Sequence, residues 1–304
     1  MPTARSIRAA SPHRPNGIIV YRSTLDTPAS LLWFDPSGQP LGPLSDAAWQ
    51  DPSFSPDGRY LAVSSDDARN GRYAIRVHAL ARGLSARLTE PGDAGRPIWS
   101  PDGKIITYAA NGLSCLYQVR ADGSAQPELL QKGGFLVPWH WSLDGHLAIA
   151  TLDHGLPFLK IYFAADGSLK PFGPGAEAQF SPDGKWIAYI GQGGVAGGGG
   201  IEVQPFPGSG PHIPISEPGG AQPRWRRDGR GLFYIAPDRK LMAVEFDPRT
   251  GTANRATVLF QTRVVAPNLA GFQYDVAADG RFLINSFPAS HSSPLTVLTG
   301  WERK

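Results

Sequence analysis

One five-residue pattern recurs along this chain and limits what it can fold into. An apolar residue is followed by two small or variable residues, then Asp-Gly, then an apolar strand-like run. The copies are Phe54-Ser55-Pro56-Asp57-Gly58, Trp99-Ser100-Pro101-Asp102-Gly103 and Trp141-Ser142-Leu143-Asp144-Gly145. Phe180-Ser181-Pro182-Asp183-Gly184, Trp225-Arg226-Arg227-Asp228-Gly229 and Val276-Ala277-Ala278-Asp279-Gly280 follow. Their Asp-to-Asp spacings are 45, 42, 39, 45 and 51 residues. A seventh, degenerate copy, Pro15-Asn16-Gly17, lies 41 residues before Asp57.

The chemistry of the pattern is that of a tight turn. Ser accepts a local hydrogen bond, Pro fixes φ, Asp suits the third position, and Gly takes the positive φ that closes a hairpin. The strand after each turn is a near-continuous apolar run, as in Tyr60 to Val63, Ile105 to Tyr108 and Trp186 to Ile190. Such runs mark strands buried on both faces. A third strand then alternates, as in Tyr73 to Leu80 and Leu241 to Phe246, and a short fourth strand such as Val258 to Gln261 ends most units. Four strands in a unit of about 45 residues is the pattern of a propeller blade.

The reading is therefore an all-β chain, a β-propeller of four-stranded antiparallel blades. Seven turn copies favour seven blades, with six as the alternative. The propeller runs over residues 17–301, with 1–16 an N-terminal segment able to supply a ring-closing strand and 302–304 a tail. The 36 Gly and 29 Pro agree with many short elements. At 41% apolar and 18% charged residues, the chain has enough material for a core and too little charge for disorder.

The Ser-Pro-Asp-Gly hairpins resemble the propeller repeats of the TolB-like, WD-like family, over nearly the whole chain. A second resemblance rests on Gln222-Pro223-Arg224-Trp225-Arg226-Arg227-Asp228-Gly229, Leu232-Phe233-Tyr234 and Lys240-Leu241-Met242-Ala243-Val244. With the opening Leu32-Trp33-Phe34-Asp35, these look like the C-terminal propeller of bacterial serine/threonine kinase sensor regions. The resemblances imply a sensor or scaffold module that binds a protein or peptide.

Chemical motifs are missing from the sequence. It has no kinase phosphate loop, His-Arg-Asp loop or Asp-Phe-Gly segment, and no G-x-S-x-G elbow. The Gly191 to Gly200 run lacks the spacing of a phosphate loop and reads as a flexible connection. His140, His146 and His154 crowd one blade with Asp144 and Asp153, but on different strands and at opposite ends, so no metal or cofactor is expected. The expected function is non-catalytic binding, and the alternative is a lyase- or cyclase-type enzyme acting in the channel.

A net charge of +3 is mild, and Arg224, Trp225, Arg226, Arg227 and Arg230 read as a solvated turn rather than a nucleic-acid surface. Cys115 stands alone, so no intramolecular disulfide is available. No window suits a signal peptide or a membrane span. A cytoplasmic monomer is expected as encoded, or an extracytoplasmic one if the chain is a piece of a longer sensor protein.

Innermost propeller strands line the channel, and side chains alternate along a strand. Residues four and six positions before each turn Asp should then share a face. Six positions back stand Asp51, Arg96, Pro138, Glu177, Gln222 and Gln273. These read as a polar ring at the channel mouth on the face opposite the turns, with Trp49, Asp66, Asp67, Phe135 and His154 on nearby loops. Asp51, Arg96, Glu177, Gln222, Gln273, Trp49 and His154 are the candidate partner-binding residues. Alanine at Arg96, Glu177 and Trp49 should leave folding intact, because exposed positions change stability by about 0.5 kcal/mol or less, and should weaken partner binding at least tenfold.

Overall fold

The structure is a computed structural model that describes residues 17–22, 29–45, 47–66, 71–191, 199–208, 210–264, 271–287 and 295–301. The first described strands are β1 (Gly17–Arg22), β2 (Ser30–Phe34) and β3 (Pro40–Pro43). The first blade is β4 (Trp49–Phe54), β5 (Tyr60–Ser65), β6 (Ala74–Ala79) and β7 (Leu84–Arg87). The second is β8 (Gly95–Trp99), β9 (Ile105–Ala110), β10 (Cys115–Arg120) and β11 (Glu128–Lys132). The third is β12 (Val137–Trp141), β13 (His146–Asp153), β14 (Leu156–Phe163) and β15 (Ser168–Pro174). The fourth is β16 (Ala176–Phe180), β17 (Trp186–Ile190), β18 (Ile201–Pro205) and β19 (Ile213–Pro214). The fifth holds β20 (Ala221–Trp225), β21 (Gly231–Ile235) and β22 (Lys240–Asp247), with β23 (Thr252–Ala253) and β24 (Thr257–Gln261) both paired to β22.

Closure of the ring departs from the sequence reading. The sixth blade has the order β25 (Tyr274–Val276), β26 (Phe282–Ser286), β2, β3, so its outer half comes from the start of the chain. β27 (Leu295–Trp301), within the range read from sequence as propeller, pairs with β1 instead of joining a blade. The described residues therefore form six blades, all of four strands except the fifth, which has one short strand more, and seven is corrected to six. The strand after the degenerate turn copy, β1, joins a separate two-stranded ribbon rather than a blade. Pro15, Asn16, the segments 1–16 and 302–304, and Asp67 lie outside the described residues. β2 takes the place beside β26 because it is apolar: Leu31 packs with Leu61, Val63 and Leu283 in one buried cluster.

Each turn joins the innermost strand of its blade to the second strand, as its residue types dictate. Ser55 Oγ accepts the Tyr60 N–H at 2.9 Å and donates to Asp57 Oδ1 at 2.6 Å. Asp57 Oδ1 also accepts the Arg59 N–H at 3.0 Å, and Gly58 sits at φ 70°. The same network recurs around Ser100 and Asp102 and around Ser181 and Asp183. The motif aromatics Phe54, Trp99, Trp141, Phe180 and Trp225 are all at or below 9% exposed. They pack between blades, and their indoles reach back to the preceding one. Trp99 Nε1 donates to Ser53 O at 2.8 Å, Trp141 Nε1 to Thr107 Oγ1 at 3.0 Å, and Trp225 Nε1 to Gln179 O at 3.0 Å. No described helix is long and apolar enough to cross a membrane.

Candidate functional site at the channel mouth

The innermost strands of the first five blades do not alternate as expected, and the reason is a bulge in each of the five. Asp51, Arg96, Glu177 and Gln222 adopt φ of 51°, 58°, 55° and 59°. The pairing register shifts at these points, between Gln50 and Ser53, Gly95 and Ile98, Ala176 and Gln179, and Ala221 and Arg224. A left-handed residue in a strand re-aims the side chains around it. Positions four and six before the turn Asp therefore part company.

The six-back residues turn into the body of the ring rather than outward to solvent. Asp51 Oδ2 accepts the Arg96 N–H at 3.2 Å, Glu177 Oε2 accepts the Gln222 N–H at 2.6 Å, and Gln222 Oε1 accepts the Gln273 N–H at 2.7 Å. Each side chain thus latches the equivalent backbone position of the next blade. Glu177 is 1% exposed, and Gln222, Gln273 and Pro138 are buried with it. Burial dominates the Asp51 carboxyl and raises its pKa, against the lowering pull of Ser64 and Arg96.

As a binding surface the predicted ring is thus corrected. Asp51, Arg96, Glu177, Gln222 and Gln273 hold blades together, and they offer no open polar mouth. Trp49 is also buried, with its ring 5.2 Å from that of His78. His154 is exposed as expected, its side chain 94% accessible on the β13–β14 hairpin, with Nδ1 3.1 Å from Asp153 Oδ1. It lies at the end of its blade away from the turns and does not meet the others.

The four-back residues, Ser53, Ile98, His140, Gln179, Arg224 and Asp275, line a cavity of about 350 Å³ that opens between the turns. Its rim is made of turn residues, including Pro56, Pro101, Leu143, Pro182 and Arg227, backed by Trp99, Trp141 and Trp225. At mid-depth the channel closes. Trp139 and Phe272 meet edge to face at 5.4 Å, the Arg224 guanidinium lies 3.7 Å over Phe272, and beyond them only about 10 Å³ remains.

Polar groups in this mouth are few and fixed by the neighbouring blade. His140 Nδ1 accepts the Phe180 N–H at 3.2 Å, Gln179 Oε1 accepts the Trp225 N–H at 2.5 Å, and Asp275 Oδ2 accepts the Phe54 N–H at 2.7 Å. Sequence reasoning missed this second tier. The signal was the same four-residue offset, but it could be separated from the six-back tier only by knowing where the bulge falls.

Burial, helped by the Arg224 charge, pushes the His140 imidazole down from 6.5 to about 3. The ring stays neutral because Nδ1 must accept. This fixes a pH response. Below 6.5 the unfolded chain protonates this histidine while the folded chain does not until about 3, so unfolding takes up a proton. Stability should fall through that window by at most about 1.4 kcal/mol per pH unit. Asp57 and Asp102, held below 3.8 chiefly by their serine partners, lose stabilisation only beneath that value. Denaturant titrations between about pH 4 and 6.5 should therefore carry the His140 contribution. They also carry that of His78, likewise lowered by burial, and the opposing one of Asp51, raised by burial; the His140 share is the part a substitution there removes. His140→Gln, which keeps an acceptor for Phe180, should flatten the slope. An unchanged slope would remove His140 as its source.

A larger groove of about 460 Å³ lies at the outer edge between the third and fourth blades, among Phe163, Phe172, Tyr189 and Phe206. Its polar groups satisfy one another: the Tyr189 hydroxyl is 3.0 Å from His212 Nδ1, which is 2.9 Å from Glu202 Oε2.

No protein-family model matches the sequence. A TolB homolog from Chlorobium chlorochromatii is 35% identical over 95 residues, which are 31% of this chain and 21% of that protein. The chain thus spans about a fifth of the length of the curated relatives it matches. Among solved structures, a protein from Agrobacterium tumefaciens assigned as TolB superposes with a TM-score of 0.68 at 18% identity, covering 86% of this chain and 99% of that one. A gluconolactonase from Xanthomonas campestris gives 0.55 at 14% identity, covering 93% and 100%. An oligogalacturonate lyase from Vibrio parahaemolyticus gives 0.51 at 13% identity, covering 98% and 86%. At such identities the structural likeness establishes the fold.

Proposed function

We propose that this chain, a TolB-like β-propeller, is a binding module that takes an extended segment of a protein partner at the turn-face mouth of its channel. The observation that carries the reading is the mouth itself. It is apolar and aromatic at the rim, holds a small number of convergent polar groups, and is stoppered at mid-depth by Trp139, Phe272 and Arg224. Recognition sites have this composition, and exposed apolar anchors at a rim commonly dominate protein contacts.

Chemistry in the channel is the competing reading, since a lactonase and a lyase share the fold. The ionisable groups present favour binding. His140 uses Nδ1 to accept a backbone N–H, and both Asp275 oxygens accept backbone N–H groups. Among the described residues no three His, Cys, Asp or Glu side chains gather as metal ligands.

The test is selection from a random dodecapeptide library displayed on phage. Leu143 is 63% exposed at the rim, so Leu143→Lys should leave the fold unchanged. Enriched peptides should lose about tenfold or more in affinity for that variant and bind His154→Ala as they bind the parent. Peptides indifferent to Leu143→Lys but weakened by His154→Ala would move the site to the opposite face. Turnover of a lactone or an oligogalacturonate by the same preparation would favour the enzyme reading.

A further inference from the structure

Among the described residues Arg224 is the one cation at the floor of the mouth, where it pairs with Asp275, and its terminal amino groups are left unused. The side chain is 7% exposed. Its Nε donates to Tyr274 O at 3.2 Å and lies 3.6 Å from Asp275 Oδ1, while one guanidinium face stacks on Phe272. Among the described residues no acceptor lies within hydrogen-bond distance of its two terminal amino groups. Those groups belong to a residue that lines both the open cavity and the small void below it.

Those terminal donors open onto the cavity, where an acceptor on a ligand can reach them. Asp275 does not supply that acceptor: its oxygens are taken by Phe54 and Val276, and it approaches the guanidinium beyond hydrogen-bond length. His140 beside it is neutral and adds no negative charge. The planar fork of an arginine fits a carboxylate bidentately. A phosphate dianion fits less well, because phosphate sites ordinarily gather several cations, and here the nearby Asp275 carboxylate opposes a second negative charge.

We infer that Arg224 is a carboxylate receptor, so the mouth selects partner segments that insert an acidic group past the aromatic rim to the channel floor. The inference rests on the reading of the mouth as a peptide site. The carboxylate has two possible sources, an Asp or Glu side chain or a free chain terminus, and recognition at the floor is the same for both.

The experiment uses synthetic versions of peptides enriched on the parent chain and weakened by Leu143→Lys. Each is made with its acidic side chains changed to Asn or Gln, and separately with its C-terminus amidated. One of the two changes should weaken binding to the parent about tenfold or more, and which one does so names the source. The same change should have little effect on binding to Arg224→Gln, whose folding is checked by denaturant titration. Arg224→Lys, which keeps the charge without the fork, should recover part of the preference and serves if the glutamine variant fails to fold. Mouth-sensitive peptides that bind equally well with every carboxylate neutralised would overturn the Arg224 inference and leave the mouth intact. Peptides insensitive to Leu143→Lys would overturn the mouth reading, and the inference with it.

Discussion

Glu177→Ala should lower the unfolding free energy by about 1–3 kcal/mol, although sequence pattern alone placed this residue on an open surface. Its carboxylate is buried and accepts the Gln222 N–H, and it lies close enough to Arg96 to raise that guanidinium's pKa, against the larger effect of its burial. Removing it strands the Gln222 backbone donor and takes one of two neighbouring carboxylates from Arg96, which keeps Asp51. Two companion variants separate the causes. Glu177→Gln keeps an acceptor for Gln222 and loses the charge, so it should fall between parent and alanine. Glu177→Gly relieves the left-handed backbone at φ 55°, which should return about 1–2 kcal/mol relative to alanine and no more, because the latch is still gone. Urea titrations with an unchanged slope would read these differences directly. A glycine variant as stable as the parent would mean that the latch is worth no more than the strain that glycine relieves, about 1–2 kcal/mol. A loss under about 0.5 kcal/mol in Glu177→Ala, the range of an exposed site, would refute the latch.

The difference between Glu177 as read and Glu177 as found shows which physics a sequence displays. The turns were legible because their hydrogen bonds are local. Ser55, Asp57 and Gly58 satisfy one another within six residues of chain, so residue type and spacing carry the whole argument. The interblade aromatics were legible for a related reason, since a large apolar residue just before a tight turn has nowhere else to go. The bulge was not legible. Asp tolerates positive φ, but Arg96, Glu177 and Gln222 are not residues that favour it, and what holds these positions there is the neighbouring blade, some 45 residues away in sequence for the Glu177–Gln222 and Asp51–Arg96 contacts. Pro138 occupies the same position in the third blade, and there the register shifts one step later, between Pro138 and His140. The candidate site inherited the error. The offset that points into the channel is four, not six, and Arg224, set aside as part of a basic turn, proves to be its floor.

Blade count failed for the same reason on a larger scale, and it leads to the second large effect. β26 is buried along its whole length, and β2 covers it in register from Ser30 opposite Ser286 to Phe34 opposite Phe282. A chain beginning at residue 46 would bare that edge, with Phe282, Leu283 and Ile284 and a row of unpaired backbone groups exposed to water. Such an edge invites pairing with another chain. The truncated chain should lose its single cooperative unfolding transition and self-associate at micromolar concentration. The missing strand can be returned as a separate molecule, because strand addition to an open edge uses main-chain hydrogen bonds with side chains for specificity. A synthetic peptide of residues 17–45, carrying β1, β2 and β3, should restore one cooperative transition whose midpoint rises with peptide concentration. The same peptide with Leu31→Asp should not, because it would bring a carboxylate into the cluster of Leu61, Val63 and Leu283. A truncated chain that unfolds cooperatively at the parent's midpoint without peptide would show that β2 and β3 do not close the ring.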